Sequence, residues 1–194
     1  MKRLHLNKIS SALVFALLLS ASLTMISCSE SSEDPIPANN NNDPDQMIPD
    51  EVGEAAPDFS LTALDGSTVK RSDFEDKVVV LFFMGSSCSL CRAVAPSVES
   101  ELFETYKGNT SFALLGLDTW DGTNSALQSF KNTTGVTFPL LLDASAVAAD
   151  YETTYDRLVV IDKNGNVAHK GTRATTNDIA TVKTMVQELL NDGM

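Results

Sequence analysis

Long apolar runs alternate with amphipathic segments from about residue 55 to the end of the chain. The runs Lys77–Met84 and Ser111–Leu117 are almost entirely apolar, which predicts strands buried on both faces. Segments with apolar residues at helical spacing predict helices at Ser89–Lys107, Thr123–Asn132, Ala144–Tyr151 and Thr176–Leu190. Because strands alternate with helices, we expect an α/β domain with a mixed sheet and helices on both faces.

Four shorter segments complete this pattern. They predict strands or extended chain at Phe59–Ala63, Pro139–Leu142, Leu158–Ile161 and Val167–Lys170. The first turns at Asp65-Gly66, and the last two form a hairpin across Asn164-Gly165, a pair of residues that favours tight turns. The roughly 140 residues from 55 to 194 contain no internal repeat and suit one domain with one core.

The first 54 residues have a different composition. Residues 1–27 begin with basic side chains, continue through an apolar stretch and end at Ser27, which is typical of a secretory signal peptide. Cys28 follows at once, as in a bacterial lipoprotein signal, so we expect Cys28 to become the lipidated first residue. The alternative is a transmembrane anchor, because the apolar stretch is about long enough to span a bilayer. Residues 28–54 are rich in Ser, Asn and Asp, which predicts a disordered tether.

Charge excludes one class of partner. The chain has 26 acidic and 14 basic residues, and removal of residues 1–27 leaves a formal charge of −15. Binding to nucleic acid needs basic patches that neutralise phosphates, so nucleic acid is not an expected partner. The same charge argues against binding to an anionic lipid surface through the domain itself.

The candidate chemistry lies in Cys88-Ser89-Leu90-Cys91, between a predicted buried strand and a predicted helix. Unpaired N–H groups and the dipole at a helix start favour a thiolate on the first cysteine, and the second lies one turn away. The spacing therefore predicts a redox pair. A structural disulfide is one alternative, and a zinc site is another, although His169 would be the only histidine left after signal removal.

Several motifs together resemble the thioredoxin superfamily, in the branch shared by TlpA-like oxidoreductases and AhpC/TSA redoxins. The resemblance covers about Ala55 to Leu190 and rests on Ala56-Pro57-Asp58-Phe59, Leu64-Asp65-Gly66, Cys88 to Pro96, Phe138 to Asp143 and Val160 to Gly165. It implies a thioredoxin-like domain over residues 55–194. The fold would be a three-layer α/β/α sandwich with a central mixed sheet and an N-terminal hairpin.

The resemblance also implies roles for individual residues. Cys88 would attack a disulfide and Cys91 would resolve the mixed disulfide, with no cofactor and no metal because the sulfurs hold the electrons. Supporting residues would be Ser87, Ser89, Leu90, Pro96 and Arg157. Pro96 would bend the helix that presents Cys88, and Arg157 could steady a thiolate or a peroxide oxygen.

Three positions depart from the family pattern. Ser87 stands where a tryptophan is usual, and Phe82 stands where thioredoxin has a buried aspartate that helps the second cysteine lose its proton. Asp156-Arg157 occupies the place of a cis-proline, and we expect a trans peptide bond there.

The predicted function is that of a lipid-anchored thiol–disulfide oxidoreductase of the bacterial cell envelope, facing the periplasm or at the outer membrane or surface. Its partners would be thiol or disulfide proteins of the envelope, including an upstream membrane reductase, and the membrane itself through Cys28. One alternative is a peroxiredoxin-type thiol peroxidase, although Leu81 and Gly85 occupy the Pro and Thr positions of its peroxidatic loop. A second alternative is a non-catalytic thioredoxin-like binding scaffold.

Overall fold

The computed structural model describes residues 53–171 and 174–192. The predicted signal peptide, Cys28 and the tether up to residue 52 lie outside the described residues. From Gly53 onward the chain is bonded to the domain: the Gly53 N–H donates to the Val167 carbonyl at 2.7 Å, and the Val167 N–H donates to the Glu54 carbonyl at 2.8 Å.

An N-terminal hairpin opens the domain. Strand β1 (Ser60–Thr62) pairs antiparallel with β2 (Thr68–Lys70). The turn between them is held by Asp65, whose Oδ1 accepts from both the N–H and the hydroxyl of Ser67 at 2.9 and 2.6 Å. These hydrogen bonds to the carboxylate lower the pKa of Asp65. The predicted opening hairpin is therefore confirmed.

A mixed five-stranded sheet forms the centre of the domain. Its strands are β3 (Val78–Met84), β4 (Phe112–Asp118), β5 (Leu140–Leu141), β6 (Arg157–Ile161) and β7 (Val167–Lys170), in the spatial order β5-β4-β3-β6-β7. β3, β4 and β5 run parallel, whereas β6 and β7 are antiparallel to their neighbours. Consequently the carboxyl ends of β3 and β4 lie at the same edge of the sheet as the amino end of β6.

The central strand β3 is buried along its whole length. Side chains of alternate residues point to opposite faces of the sheet, so Val80 and Phe82 belong to one apolar cluster and Leu81 and Phe83 to the other. This two-sided burial explains why the strand reads as a continuous apolar run.

Within residues 53–171 and 174–192, five α-helical segments cover the two faces of the sheet. They are α1 (Ser89–Val98), α2 (Glu104–Tyr106), α3 (Asn124–Thr134), α4 (Ser145–Asp150) and α5 (Ile179–Asn191). Apolar residues of α1, α3 and α5 pack in the cluster of Val80 and Phe82, whereas those of α4 pack with the hairpin on the opposite face. The predicted three-layer sandwich is confirmed.

The predicted helix over Ser89–Lys107 differs from the structure in one respect. A π-helical turn, Glu99–Phe103, separates α1 from α2. Pro96, inside α1, has no N–H to donate to the carbonyl four residues before it. The α-helical hydrogen bonding is therefore already interrupted one turn before the π-helical segment begins. Glu99 lies at the start of this turn and accepts from the N–H and hydroxyl of Thr137 at 3.0 and 2.5 Å.

Candidate active site

The two cysteines lie at the sheet edge where β3 ends. After Met84, residues Gly85 to Ser87 lead to Cys88, which is the N-cap residue of α1. The Cys88 N–H donates to the Gly85 carbonyl at 2.9 Å, and the Arg92 N–H donates to the Cys88 carbonyl at 3.0 Å. Cys88 is thus fixed between the end of the central strand and the first turn of a helix.

Cys88 and Cys91 are joined as a disulfide, with their Cα atoms 5.3 Å apart. Cys88 retains 4% of its exposure and Cys91 none. The two residues therefore differ in access, because solvent reaches part of Cys88 and none of Cys91. Both are less exposed than a surface disulfide would be.

The helix start favours negative charge on the first sulfur. The N–H of Cys91 donates to Sγ of Cys88 at 3.1 Å, as in a side-chain N-cap. The dipole of α1 acts in the same direction, since the N-terminus of a helix carries partial positive charge. Both effects stabilise a thiolate at Cys88 and provide no comparable help to Cys91.

The predicted supporting residues close to the pair are mostly on the surface. Ser87 and Ser89 are exposed, and Leu90 has 62% of its surface exposed. Pro96 lies on the exposed side of α1, below the first turn. Ser87, Ser89 and Leu90 thus form the solvent-facing rim around Cys88.

Arg157 begins β6 at the same edge, but its register partner is Phe83. Paired residues share a face of the sheet, so the Cβ of Arg157 is on the face opposite to the cluster that contains the cysteines. Its Nε is buried and, among the described residues, has no hydrogen-bond partner. Burial lowers the pKa of Arg157, and the charge of Asp178 opposes that shift. A role for Arg157 at a thiolate stays a prediction.

Two of the departures from the family pattern have clear structural settings. Phe82 is fully buried in the apolar cluster beneath the cysteines. At the other position, no peptide bond among the described residues is cis, as expected for Asp156-Arg157. Asp156 has a left-handed backbone with φ of 60°, and its Oδ1 accepts from the Thr175 N–H at 3.2 Å.

Asp118 is a residue of this site that the sequence motifs do not single out. Asp118 is completely buried at the end of β4. Its carboxylate accepts from the N–H groups of Ser86 (2.9 Å), Trp120 (3.2 Å) and Gly122 (3.1 Å). Asp118 therefore joins the loop before Cys88 to the loop after β4. The local sequence gives one indication of this role. Trp120 and Gly122, whose N–H groups donate to Asp118, follow it by two and four residues in a loop that contains a glycine.

Trp120 is a second residue that lies beside the loop leading to Cys88. Its ring lies over Gly85, where a Cβ would be only 2.5 Å from Cδ2 of the indole. The ring also makes an edge contact with Tyr155, with centroids 5.0 Å apart. Trp120 is 46% exposed, and within the described part of the chain only it and Leu90 are large exposed apolar residues. An aromatic side chain is therefore present beside the cysteine loop although Ser87 replaces the usual tryptophan.

Gly122 is required by close packing at this site. A Cβ on Gly122 would collide with the Ser86 hydroxyl and lie 2.6 Å from Oδ2 of Asp118. Only a glycine lets the loop approach the buried carboxylate closely enough for the hydrogen bond from its N–H.

Neither a metal cluster nor a membrane-spanning helix is found in residues 53–171 and 174–192. No group of three or more His, Cys, Asp or Glu residues there could hold a metal ion. His169 instead lies close to Asp178, with Nε2 at 3.1 Å from both carboxylate oxygens. No helix in these ranges is both long enough and apolar enough to cross a bilayer.

Comparison with protein families gives a match to the AhpC/TSA family over residues 52–170. The thioredoxin-like protein YneN of Bacillus subtilis is 30% identical over 123 residues, which is 62% of this chain and 72% of the relative. The thiol-disulfide oxidoreductase ResA of Bacillus anthracis is 30% identical over 122 residues, or 62% of this chain and 69% of the relative.

Solved structures agree. A protein of Bacteroides thetaiotaomicron that is provisionally described as a protein disulfide isomerase superimposes with a TM-score of 0.68 and 33% identity, covering 74% of this chain and 92% of that one. The thioredoxin domain of a thiol-disulfide oxidoreductase from Bacteroides vulgatus gives a TM-score of 0.60 over 70% and 97% of the two chains. Its identity of 23% supports the shared fold alone.

Proposed function

This chain belongs to the AhpC/TSA family, in its TlpA-like redoxin branch, and we propose that it is a membrane-tethered enzyme that exchanges electrons with protein disulfides through Cys88 and Cys91. Its enzyme class is that of the thiol–disulfide oxidoreductases. The observation that carries the assignment of roles is the asymmetry of the pair. Cys88 caps a helix and retains some exposure, whereas Cys91 is fully buried one turn further on.

The reaction of the reduced pair would proceed in two displacements. The Cys88 thiolate attacks one sulfur of a substrate disulfide, forms a mixed disulfide and expels the other substrate sulfur as a thiolate. Cys91 then attacks Sγ of Cys88, its proton passes to the departing substrate thiolate, and the second substrate sulfur is released. The pair has then lost two electrons, and the substrate has gained them together with the proton of Cys91, while the substrate thiolate that was expelled first takes its proton from water.

The peroxidase alternative is less well supported. Leu81 and Gly85 occupy the positions at which a peroxidatic loop has its proline and threonine. Leu81 is fully buried, and Gly85 lies under the ring of Trp120 with no side chain to anchor a peroxide. Disulfide exchange needs neither anchor, since the helix start alone favours the attacking thiolate.

The membrane tether rests on residues outside the described part of the chain. A basic start, an apolar stretch and Cys28 support a lipid anchor in the cell envelope, and residues 29–52 would hold the domain away from the bilayer. Electron donors and acceptors would be thiol or disulfide proteins of that compartment, including an upstream membrane reductase. The parent chain, produced in bacteria grown with a labelled fatty acid, is expected to carry the label and the Cys28→Ala variant to carry none; a parent chain without label would rule out the lipid anchor.

Trapping of a mixed disulfide tests the exchange reaction itself. The reduced full-length Cys91→Ser variant, mixed with insulin whose disulfides are intact, is expected to form a lasting covalent adduct. Cys88 can attack an insulin disulfide, but no second cysteine is present to resolve the mixed disulfide. Non-reducing electrophoresis and mass spectrometry would detect it.

The matched control is the double variant Cys88→Ser, Cys91→Ser, which retains only Cys28. It should form no adduct. If the double variant traps as much insulin as the single one, the adduct does not arise at Cys88 and the proposed roles are wrong.

A further inference from the structure

Arg92 has a fixed position beside the reactive cysteine. It lies four residues after Cys88, the N-cap residue of α1, and its N–H donates to the Cys88 carbonyl at 3.0 Å. Its Nε and Nη2 donate to the Ser86 carbonyl at 3.1 and 2.7 Å. The acceptor belongs to the residue two before Cys88, so the guanidinium is bound to the loop that presents the sulfur.

The acceptor itself is immobilised from its other side. Ser86 is 2% exposed, and its N–H donates to Oδ1 of Asp118 at 2.9 Å. Ser86 is therefore bonded through its N–H to a buried carboxylate and through its carbonyl to a guanidinium. A two-pronged hydrogen bond to a buried acceptor leaves the planar head of Arg92 little freedom to leave.

The charge of Arg92 is not cancelled by a direct ion pair. Across residues 53–171 and 174–192, the ion pairs join Arg71 to Asp58, Lys107 to Glu104 and His169 to Asp178. Arg92 is bonded to a neutral carbonyl instead, and it is only partly exposed. A cation in such a setting is less screened than a surface lysine, so its field reaches nearby groups.

Other ionisable groups also lie at this edge of the sheet. They are Asp118, Tyr155, Asp156 and Arg157. Asp118 already accepts three backbone hydrogen bonds, and Asp156 accepts one from the Thr175 N–H. The Cβ of Arg157 lies on the face of the sheet opposite to the cysteines. Arg92 is the cation that is bonded through its backbone N–H to the Cys88 carbonyl and through its guanidinium to the loop that leads to Cys88.

We propose that Arg92 is a positioning residue for disulfide exchange, whose fixed guanidinium holds the Ser86–Cys88 loop and stabilises the Cys88 thiolate. The inference rests on the proposed role of Cys88 as the attacking cysteine. A stabilised thiolate favours the reduced pair over the disulfide, so Arg92 makes the protein a stronger oxidant and keeps Cys88 reactive at neutral pH.

The test uses three variants of the full-length protein. Arg92→Gln removes the charge, Arg92→Lys keeps the charge without the two-pronged hydrogen bond, and Lys107→Gln removes a surface cation at the far end of the same helical segment. For each reduced protein, the rate of alkylation at Cys88 by iodoacetamide is followed against pH by peptide mass spectrometry. A glutathione titration gives the reduction potential.

We expect the midpoint of the Cys88 profile to rise in Arg92→Gln, so that alkylation below that midpoint slows by about three- to tenfold. A tenfold loss of thiolate stabilisation corresponds to a reduction potential that is lower by about 30 mV. Arg92→Lys should have a midpoint and a reduction potential close to those of the parent, and Lys107→Gln should match the parent in both.

Each other outcome is decisive. An unchanged midpoint and potential in Arg92→Gln, with a parent pair that cycles, would overturn the inference and leave the proposed function intact. Equal losses in Arg92→Gln and Arg92→Lys would show that the contact matters and the charge does not, which also overturns it. A parent pair that does not cycle would instead refute the proposed function.

Discussion

Replacing Cys88 by serine is expected to abolish disulfide exchange, with a loss of at least about a thousandfold relative to the parent chain. A serine hydroxyl stays protonated at neutral pH even at a helix N-terminus, so no nucleophile remains at the position that solvent can reach. Cys91 does not substitute for it, because Cys91 is completely buried. Insulin reduction by the full-length protein, with dithiothreitol as the electron source, measures the effect.

The control for this substitution is Ser100→Ala. Ser100 is exposed on the helical segment that follows α1, and its hydroxyl bonds only weakly to the Ser97 carbonyl at 3.4 Å. The control should keep full activity. Equal rates for Cys88→Ser and the parent chain would show that exchange takes place elsewhere.

Asp118→Ala is expected to lower the free energy of unfolding by about 3 kcal/mol or more. The substitution leaves the N–H groups of Ser86, Trp120 and Gly122 without their shared acceptor. The Ser86 donor is buried and costs roughly 1–3 kcal/mol when it loses its partner, whereas the two part-buried donors cost less because water can reach them, and the costs are not fully additive. Urea denaturation, followed by circular dichroism, gives the difference directly.

Asp121→Ala is the matched control, because it removes an aspartate from the same loop. Asp121 is exposed and accepts one hydrogen bond, from the Ser145 N–H at 3.0 Å. A loss of about 1 kcal/mol is typical for such a helix-capping contact. If the two variants were equally stable, the buried carboxylate would not be the residue that organises this edge of the sheet.

Much of the fold could be predicted because its signals are local. The all-apolar run of β3 reflects burial on two faces, and the spacing of Val182 and Val186 reflects the buried side of α5. The position of the candidate redox pair between a strand and a helix could also be predicted, since Cys-x-x-Cys after an apolar run gives its own structural context.

The remaining features depend on contacts between distant segments. Ser86 and Asp118 are 32 residues apart, so no local pattern could show that one accepts a hydrogen bond from the other. The covering of Gly85 by Trp120 is likewise a tertiary contact. Arg157 directly precedes the predicted strand Leu158–Ile161, but the face of the sheet on which it lies depends on the register with Phe83, which is fixed only in the folded sheet.

The disulfide between Cys88 and Cys91 is expected to open and close reversibly, and a redox titration of the full-length parent protein tests this most directly. The protein is equilibrated in glutathione buffers of graded ratio, alkylated, and analysed by the mass of the peptide that contains both cysteines. The prediction is a reversible two-electron transition within the range of the thioredoxin superfamily, about −270 to −120 mV. A pair that stays in one state across all buffers would contradict it and leave a structural disulfide in its place.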